Sequence, residues 1–431
     1  LSRPQKRWRA ASLTILVIGI LYGSLYTGTT VRASALQRMQ QTIVPGTNLI
    51  VQQTLQNIAQ NGWNPQAQVK GATTGGLYVN WQMDDPNRTN ALYALTQSDT
   101  SSSHDIQTDL YHLNNLSTYT QLNPQDHSFD ADRNRILPLV KYEYTNYNIP
   151  KGWVYFYLLR NALLLNDPQL LQEAYNAANN YYKNWYDASS SLVYNRSHTP
   201  GVVTVEHTIT SGVALIDAGQ RWNQPDWQQA GISTLNRVIA CAYNAPNSLF
   251  YNTLTIQNGT LSIPSNQAKA ATQGSIAEAL SEAYLLTHDT QYLIVAGRVL
   301  QSLLYTSGLW DATYGGLNFA FDLNSGQLEQ SYKETRAQAH TLLAIIRYNQ
   351  AARMLGNAPA FLDREQQLTD LLTGPIYQST YHGYFYRVTP DFQIYTSKAG
   401  HGIGYENFFT TEAMGLVIDA LQQTERPEFT F

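Results

Sequence analysis

The segment Gly75-Gly76-Leu77-Tyr78-Val79-Asn80-Trp81 decides how this chain is read, because four later segments repeat it. They are Ser191-Leu192-Val193-Tyr194-Asn195, Ser248-Leu249-Phe250-Tyr251-Asn252, Gly315-Gly316-Leu317-Asn318-Phe319 and Gly383-Tyr384-Phe385-Tyr386. Each is a short turn. Anchored at Gly76, Leu192, Phe250, Gly316 and Gly383, the copies lie 116, 58, 66 and 67 residues apart. The first interval is twice the second, so a degenerate copy is expected near Asn134. Units of about sixty residues separated by turns signal a repeat architecture. Each unit has room for two helices, and twelve helices in six pairs make a closed, all-α (α/α)6 toroid of six helical hairpins.

The text between the turns supports two kinds of helix. Residues 48–61, 167–185, 225–243, 291–305 and 360–372 read as outer helices. Among them, Leu171, Ala174, Tyr175, Ala178, Tyr181, Tyr182 and Trp185 keep helical spacing on one stripe, as a helix with one solvated face requires. Residues 104–119, 153–165, 207–222, 272–286, 334–355 and 406–421 read as inner helices. Stretches such as Gly212-Val213-Ala214-Leu215-Ile216 have no polar face, which marks a buried helix.

Charged residues make up only 13% of the 431, against 30 Tyr and 8 Trp. Neutral hydrogen-bonding groups and amphipathic rings suit sugars better than polyanions, and a net charge of −4 gives no basic footprint for nucleic acid. The one cysteine, Cys241, excludes an intramolecular disulfide and is expected to be a buried small hydrophobe. Arg3, Lys6, Arg7 and Arg9 precede an apolar run from Leu13 to Tyr26, and Ala33-Ser34-Ala35 has the form of a cleavage site. Residues 1–35 are therefore expected to be a signal peptide or N-terminal membrane anchor. Residues 36–431 are then expected to form one extracytoplasmic domain, monomeric, touching a membrane only through that leader.

Ala271-Thr272-Gln273-Gly274 opening one inner helix, the junction His288-Asp289-Thr290-Gln291-Tyr292-Leu293 after it, and Ser211-Gly212 in the helix before carry a resemblance to a known family. In these motifs and in layout the chain resembles the six-hairpin glycosidases and is most similar to the bacterial endo-α-1,6-mannanases. The resemblance implies an active cleft at the N-terminal ends of the inner helices. It also implies an Asp pair four and three residues before a Trp in the second inner helix. Counting back from Trp153 gives Ile149 and Pro150, so the pair is absent there. Asp84-Asp85, followed by Pro86, reads as a turn instead.

Helix N-termini favour oxygens of ligands, since their N–H groups are unpaired and the dipole is positive there. The six expected starts gather Asp105, Glu206, Glu334 and Glu406 as candidate catalytic carboxylates. Trp81, His104, Trp153, His207, Gln273, Arg336 and His401 are the candidate substrate contacts. Glu334 also closes the capping-box spacing Ser331-Tyr332-Lys333-Glu334. Glycoside hydrolysis needs two carboxyl groups across the scissile bond, one protonated and one ionised. These positions thus point to a glycoside hydrolase acting on an oligosaccharide or polysaccharide, without cofactor; no metal-ligand spacing occurs among the nine His. Three alternatives stay open. A sugar epimerase would use His207, His340 or His401, a polysaccharide lyase would use Arg336 as neutraliser, and a non-catalytic glycan-binding protein would use neither.

Overall fold

The computed structural model describes residues 46–82, 106–147, 149, 151–194, 201–257, 260–395 and 408–425. The expected leader, Asp84-Asp85, His104, Asp105, His401 and Glu406 lie outside the described residues, as does the side chain of Trp81. Among the described residues no helix is long and apolar enough to cross a membrane. The body belongs to one compact unit, Thr47–Phe431.

Twelve α-helices alternate between two rings among the described residues. The outer ring consists of α1 (Thr47–Asn61), α3 (Asp130–Asn146), α5 (Pro168–Asn180), α7 (Pro225–Ala242), α9 (Thr290–Gln301) and α11 (Leu362–Thr373). The inner ring consists of α2 (Ile106–Leu122), α4 (Gly152–Leu165), α6 (Val205–Arg221), α8 (Ala270–Thr287), α10 (Thr335–Met354) and α12 (Thr411–Glu425). Each inner helix packs on the next, and α12 packs on α2, which closes the ring. Each of the outer helices α3 to α11 lies against the inner helix before it, and α1 takes the equivalent place against α12. This is the (α/α)6 toroid expected from the repeat.

Local chemistry explains where the helices stop and start. Asn166, Asn223, His288 and Gly356 hold positive φ at the inner-to-outer junctions, where a left-handed residue ends a helix. Asp167 and Asp289 then cap the next helix, accepting from Gln169 N and Leu170 N, and from Gln291 N, respectively. The helices α5 and α9 end in single π-helical turns, Tyr181–Trp185 and Ser302–Thr306. Glycine permits the closest helix contact: a Cβ on Gly152 of α4 would meet the Thr210 carbonyl of α6 at 2.0 Å.

The turn copies are the second arms of hairpins that carry the chain from an outer helix to the next inner one. Gly76–Leu77, Leu192–Val193 and Leu249–Phe250 pair with short strands before them, and Leu317 and Gly383 form single bridges. A left-handed residue stands two places before Leu77, Val193, Phe250, Leu317 and Tyr384, namely Gly75, Ser191, Ser248, Gly315 and His382. Four of these turns are gripped by the fourth residue of the inner helix that follows. Asp109 accepts Leu77 N at 2.9 Å, and Thr208 bonds Val193 N and O at 3.1 and 2.7 Å. Gln273 bonds Phe250 N and O at 2.8 and 2.9 Å, and Gln338 bonds Leu317 N and O at 2.8 and 3.0 Å.

A second set of bonds links neighbouring units. The first N–H of α6, α8, α10 and α12 donates to Asn252, Phe319, Tyr386 and Val79, each two residues beyond a turn. The last of these joins the sixth unit to the first, as do the Thr411 hydroxyl bond to Tyr78 O at 2.6 Å and the pairing of Phe408–Thr410 with Asn80–Gln82. All five turns therefore lie on one rim, beside the N-termini of the inner helices.

Three expectations are corrected. No turn lies near Asn134; α3 runs through it, with Pro138 inside the helix, and α3 was missing from the outer helices read in the sequence. Cys241 is half-buried on α7, with its thiol 3.9 Å from Val238 O. The capping box ending at Glu334 does not form, because Glu334 is itself the N-cap of α10 and Ser331 makes no cap bond.

Candidate active site

The second residue of each inner helix sets the upper wall of the lumen: Gln107, Trp153, Glu206, Ala271, Arg336 and Glu412. Contacts that skip a helix locate their side chains. Trp153 Nε1 on α4 donates to Ser275 Oγ on α8 at 3.0 Å, passing over α6. The same hydroxyl donates to Glu206 Oε1 at 2.8 Å. Glu206 on α6 also feels His340 and Arg336 of α10, which is not its neighbour in the ring. Groups that interact across an intervening helix point into the lumen.

Burial works to raise the Glu206 carboxyl, but His207, His340, the Ser275 hydroxyl and Arg336 outweigh it and hold the group below the usual carboxylate range. Glu206 is thus ionised at neutral pH. His340, one turn below Arg336, is 8% exposed, and neither ring nitrogen has a hydrogen bond among the described residues. Burial and Arg336 push its imidazole below the ordinary histidine value, against Glu206, Glu412 and Asp419. Of its two ring nitrogens, Nδ1 is the one buried without a partner among the described residues.

Arg336 bridges two carboxylates, with Nε 2.9 Å from Glu334 Oε2 and Nη1 3.4 Å from Glu412 Oε1. Glu334 is 2% exposed and also lies 3.9 Å from Arg387 Nη2. Its two oxygens are therefore committed to guanidinium groups. Gln273 is likewise committed, since both ends of its amide hold the Phe250 turn. Glu206, Trp153 and Arg336 are brought to one end of the lumen, with His207 beside Glu206 on α6; Glu334 stands behind Arg336, and Gln273 faces the hairpin.

A second charged layer lies deeper. Arg160 Nη1 of α4 meets Asp419 Oδ1 of α12 at 2.9 Å, and the Tyr157 hydroxyl donates to Asp419 Oδ2 at 3.0 Å. Arg347 Nε lies 3.3 Å from Glu282 Oε2. Between the two layers sits Glu278, one helical turn below Ser275 on the same face of α8. Burial pushes its carboxyl up to about 8, with Asp419 and Glu282 adding to the rise and Arg347 and Arg160 opposing it. Glu278 is therefore protonated at neutral pH. Among the described residues no group of three or more His, Cys, Asp and Glu is placed to hold a metal ion.

Sequence reasoning missed Ser275, Glu278 and Glu412, and named His340 only for a different chemistry. The signal for Glu412 was the repeat itself, because it has the same helical position as Glu206 and Arg336. Nothing in the sequence alone marked Glu278, which lies in the middle of a helix.

No family model and no curated protein matches the chain. Solved structures do. An unsaturated glucuronyl hydrolase specific for heparin superposes with a TM-score of 0.66 at 14% identity, over 88% of this chain and 96% of that one. The unsaturated glucuronyl hydrolase of Bacillus sp. GL1 gives 0.62 at 14% identity, over 90% and 97%. The α-1,6-mannanase of Salegentibacter sp. HEL1_6 gives 0.55 at 12% identity, over 88% and 98%. At these identities the likeness is one of fold, and it extends over 88–90% of this chain.

Proposed function

We propose that this toroid is a glycoside hydrolase acting on an oligosaccharide or polysaccharide, with Glu206 as the ionised carboxylate and Glu278 as the proton donor. One observation carries the reading. Ser275, which donates to Glu206, stands one helical turn from Glu278 on α8, and the surroundings of the two carboxyl groups drive their proton affinities in opposite directions, the division of labour that acid–base cleavage of a glycosidic bond requires. Trp153 offers a ring to a sugar face, while His207, His340 and Arg336 offer hydrogen bonds to its hydroxyls. Glu412 joins them through Arg336. The fold shared with hydrolases of glucuronyl and mannosyl glycans supports the substrate class. An inactive variant of the mannanase, with two adjacent aspartates changed to asparagine, is known in complex with α-1,6-mannotriose. Ile149 and Pro150 stand where the sequence resemblance would place such a pair, so the acid and base are drawn from α6 and α8 instead.

The test is product analysis by mass spectrometry after incubating the full chain with a broad panel of oligosaccharides and polysaccharides. Addition of one water per cleaved bond is expected for at least one substrate. A product of unchanged mass would favour the second reading, an epimerase, which the unpartnered Nδ1 of His340 supports. An unsaturated product would indicate lyase action. Binding without any product would leave a glycan-binding protein. Arg3 to Arg9, the apolar run and Ala33-Ser34-Ala35 further support export, with the body acting outside the cytoplasm. Deleting residues 1–35 should trap the protein in the cytoplasm, and an unchanged location on cell fractionation would refute the assignment.

A further inference from the structure

At the outer side of the rim, the hairpin loop from Trp310 to Gly315 and the outer helix α11 bound a groove of about 510 Å³. That volume falls among ligand clefts, which span about 300–1,000 Å³. Its chemistry is specific. The Arg364 guanidinium lies 4.2 Å from the Trp310 ring centroid and 4.8 Å from that of Tyr305, so it is held between two aromatic faces. Arg364 Nη1 donates to Gln367 Oε1 at 2.5 Å, while Nη2 has no partner among the described residues. Asp370 Oδ1 accepts from Gln366 at 2.8 Å, which leaves Oδ2 open. Tyr314 is 53% exposed, with the buried Lys333 ammonium 5.7 Å from its ring centroid.

Charge narrows the ligand. Asp311 Oδ1 accepts the N–H groups of Thr313 and Tyr314, and Oδ2 accepts from Lys333 at 2.8 Å, so this acid and base satisfy each other. Arg364 is likewise offset, its Nε lying 3.7 Å from Asp363 Oδ2, and Asp370 adds a negative charge, so the groove carries no excess of positive charge. An exposed ring, a rigid planar donor and an open carboxylate oxygen, in a groove without excess positive charge, match a chain of uncharged sugars. Such a chain offers a C–H face for the ring and paired hydroxyls for the donor and acceptor. A polyanion would need an excess of positive charge that the groove lacks.

We propose that this groove is a second glycan-binding site, outside the lumen, that takes a neutral polysaccharide strand. Lys333 ties the groove to Glu334 and Arg336, because its ammonium holds Asp311 from the residue next to Glu334. A strand held there is anchored to the wall that carries the luminal site. The proposal rests on reading the toroid as glycan-active, and the experiment separates the two.

The full chain is run in native gels containing soluble starch, a β-glucan, xyloglucan or an α-mannan, with heparin as the anionic comparison. At least one neutral gel should retard the wild type and Glu206→Gln equally. Tyr314→Ala and Asp370→Ala, both with unchanged melting temperatures, should each weaken the apparent affinity roughly five-fold. Retardation that survives both groove changes, or that vanishes in Glu206→Gln, overturns the groove while leaving the luminal reading intact. Passage through every neutral gel without retardation overturns it as well. Retardation by heparin alone, lost in high salt, would make the groove an anion patch and also end the proposal.

Discussion

Replacing Glu206 by Gln should lower turnover of the substrate found by product analysis by roughly three orders of magnitude, within the range by which a positioned acid or base accelerates a reaction. The amide keeps the bond from Ser275 and most of the shape, so the melting temperature should scarcely move. Loss of a charge, and not of a contact, is what the experiment reads. The pH profile supplies a second readout with a definite sign. Glu206 works ionised and its proton affinity is depressed, so activity should persist down to acid pH and fail only below the ordinary carboxylate value of about 4.3. Glu278 works protonated, so activity should fail again as pH rises through about 8. An acid limb near pH 6 to 7, or a Glu206→Gln variant with more than roughly a tenth of wild-type turnover, would be incompatible with the assignment.

The second large effect concerns the floor of the lumen. Arg160→Met removes the cation that faces Asp419 and leaves a carboxylate that is 3% exposed without its ion pair. Breaking a buried pair in this way costs about 3–5 kcal/mol. Adding Asp419→Asn removes the stranded charge while keeping an acceptor for the Tyr157 hydroxyl. The double variant should therefore be more stable than Arg160→Met alone in urea unfolding. If it is equally or less stable, the charge of Asp419 is not what the arginine offsets.

The architecture was legible because the repeat is written in residues with strict conformational demands. Gly75, Ser191, Ser248, Gly315 and His382 all mark the same left-handed position, and a period of sixty-odd residues survives even where the residue type changes. The copy expected near Asn134 is not there, for a physical reason. The polar text around Asn134 and Pro138 has little intrinsic helical preference, yet packing of α3 on α2 makes it a helix. The site was only half legible. Glu206, Arg336 and Trp153 occupy the second position of their helices and point inward, while Gln273 occupies the fourth and grips a hairpin; two residues decide between the lumen and the wall. Placing the start of α12 at Glu406 instead of Thr411 hid Glu412 in the same way. Glu278 was invisible because its chemistry comes from its neighbours, Asp419, Glu282, Arg347 and Arg160, which sequence scatters over four helices.

The closure of the ring has a consequence for biosynthesis. The bond from Thr411 to Tyr78 spans 333 residues, and the inner helix on which α1 packs is α12. During translation, every earlier helical pair can settle on the one before it, but α1 lacks its inner helix until almost the last residue has left the ribosome. The growing arc therefore presents two sticky ends to the cell for most of its synthesis. Such long-range contacts slow folding and expose intermediates to aggregation. Truncations after α10 should for that reason be insoluble and not merely less stable, while a permutant that joins α12 to α1 directly would shorten the wait.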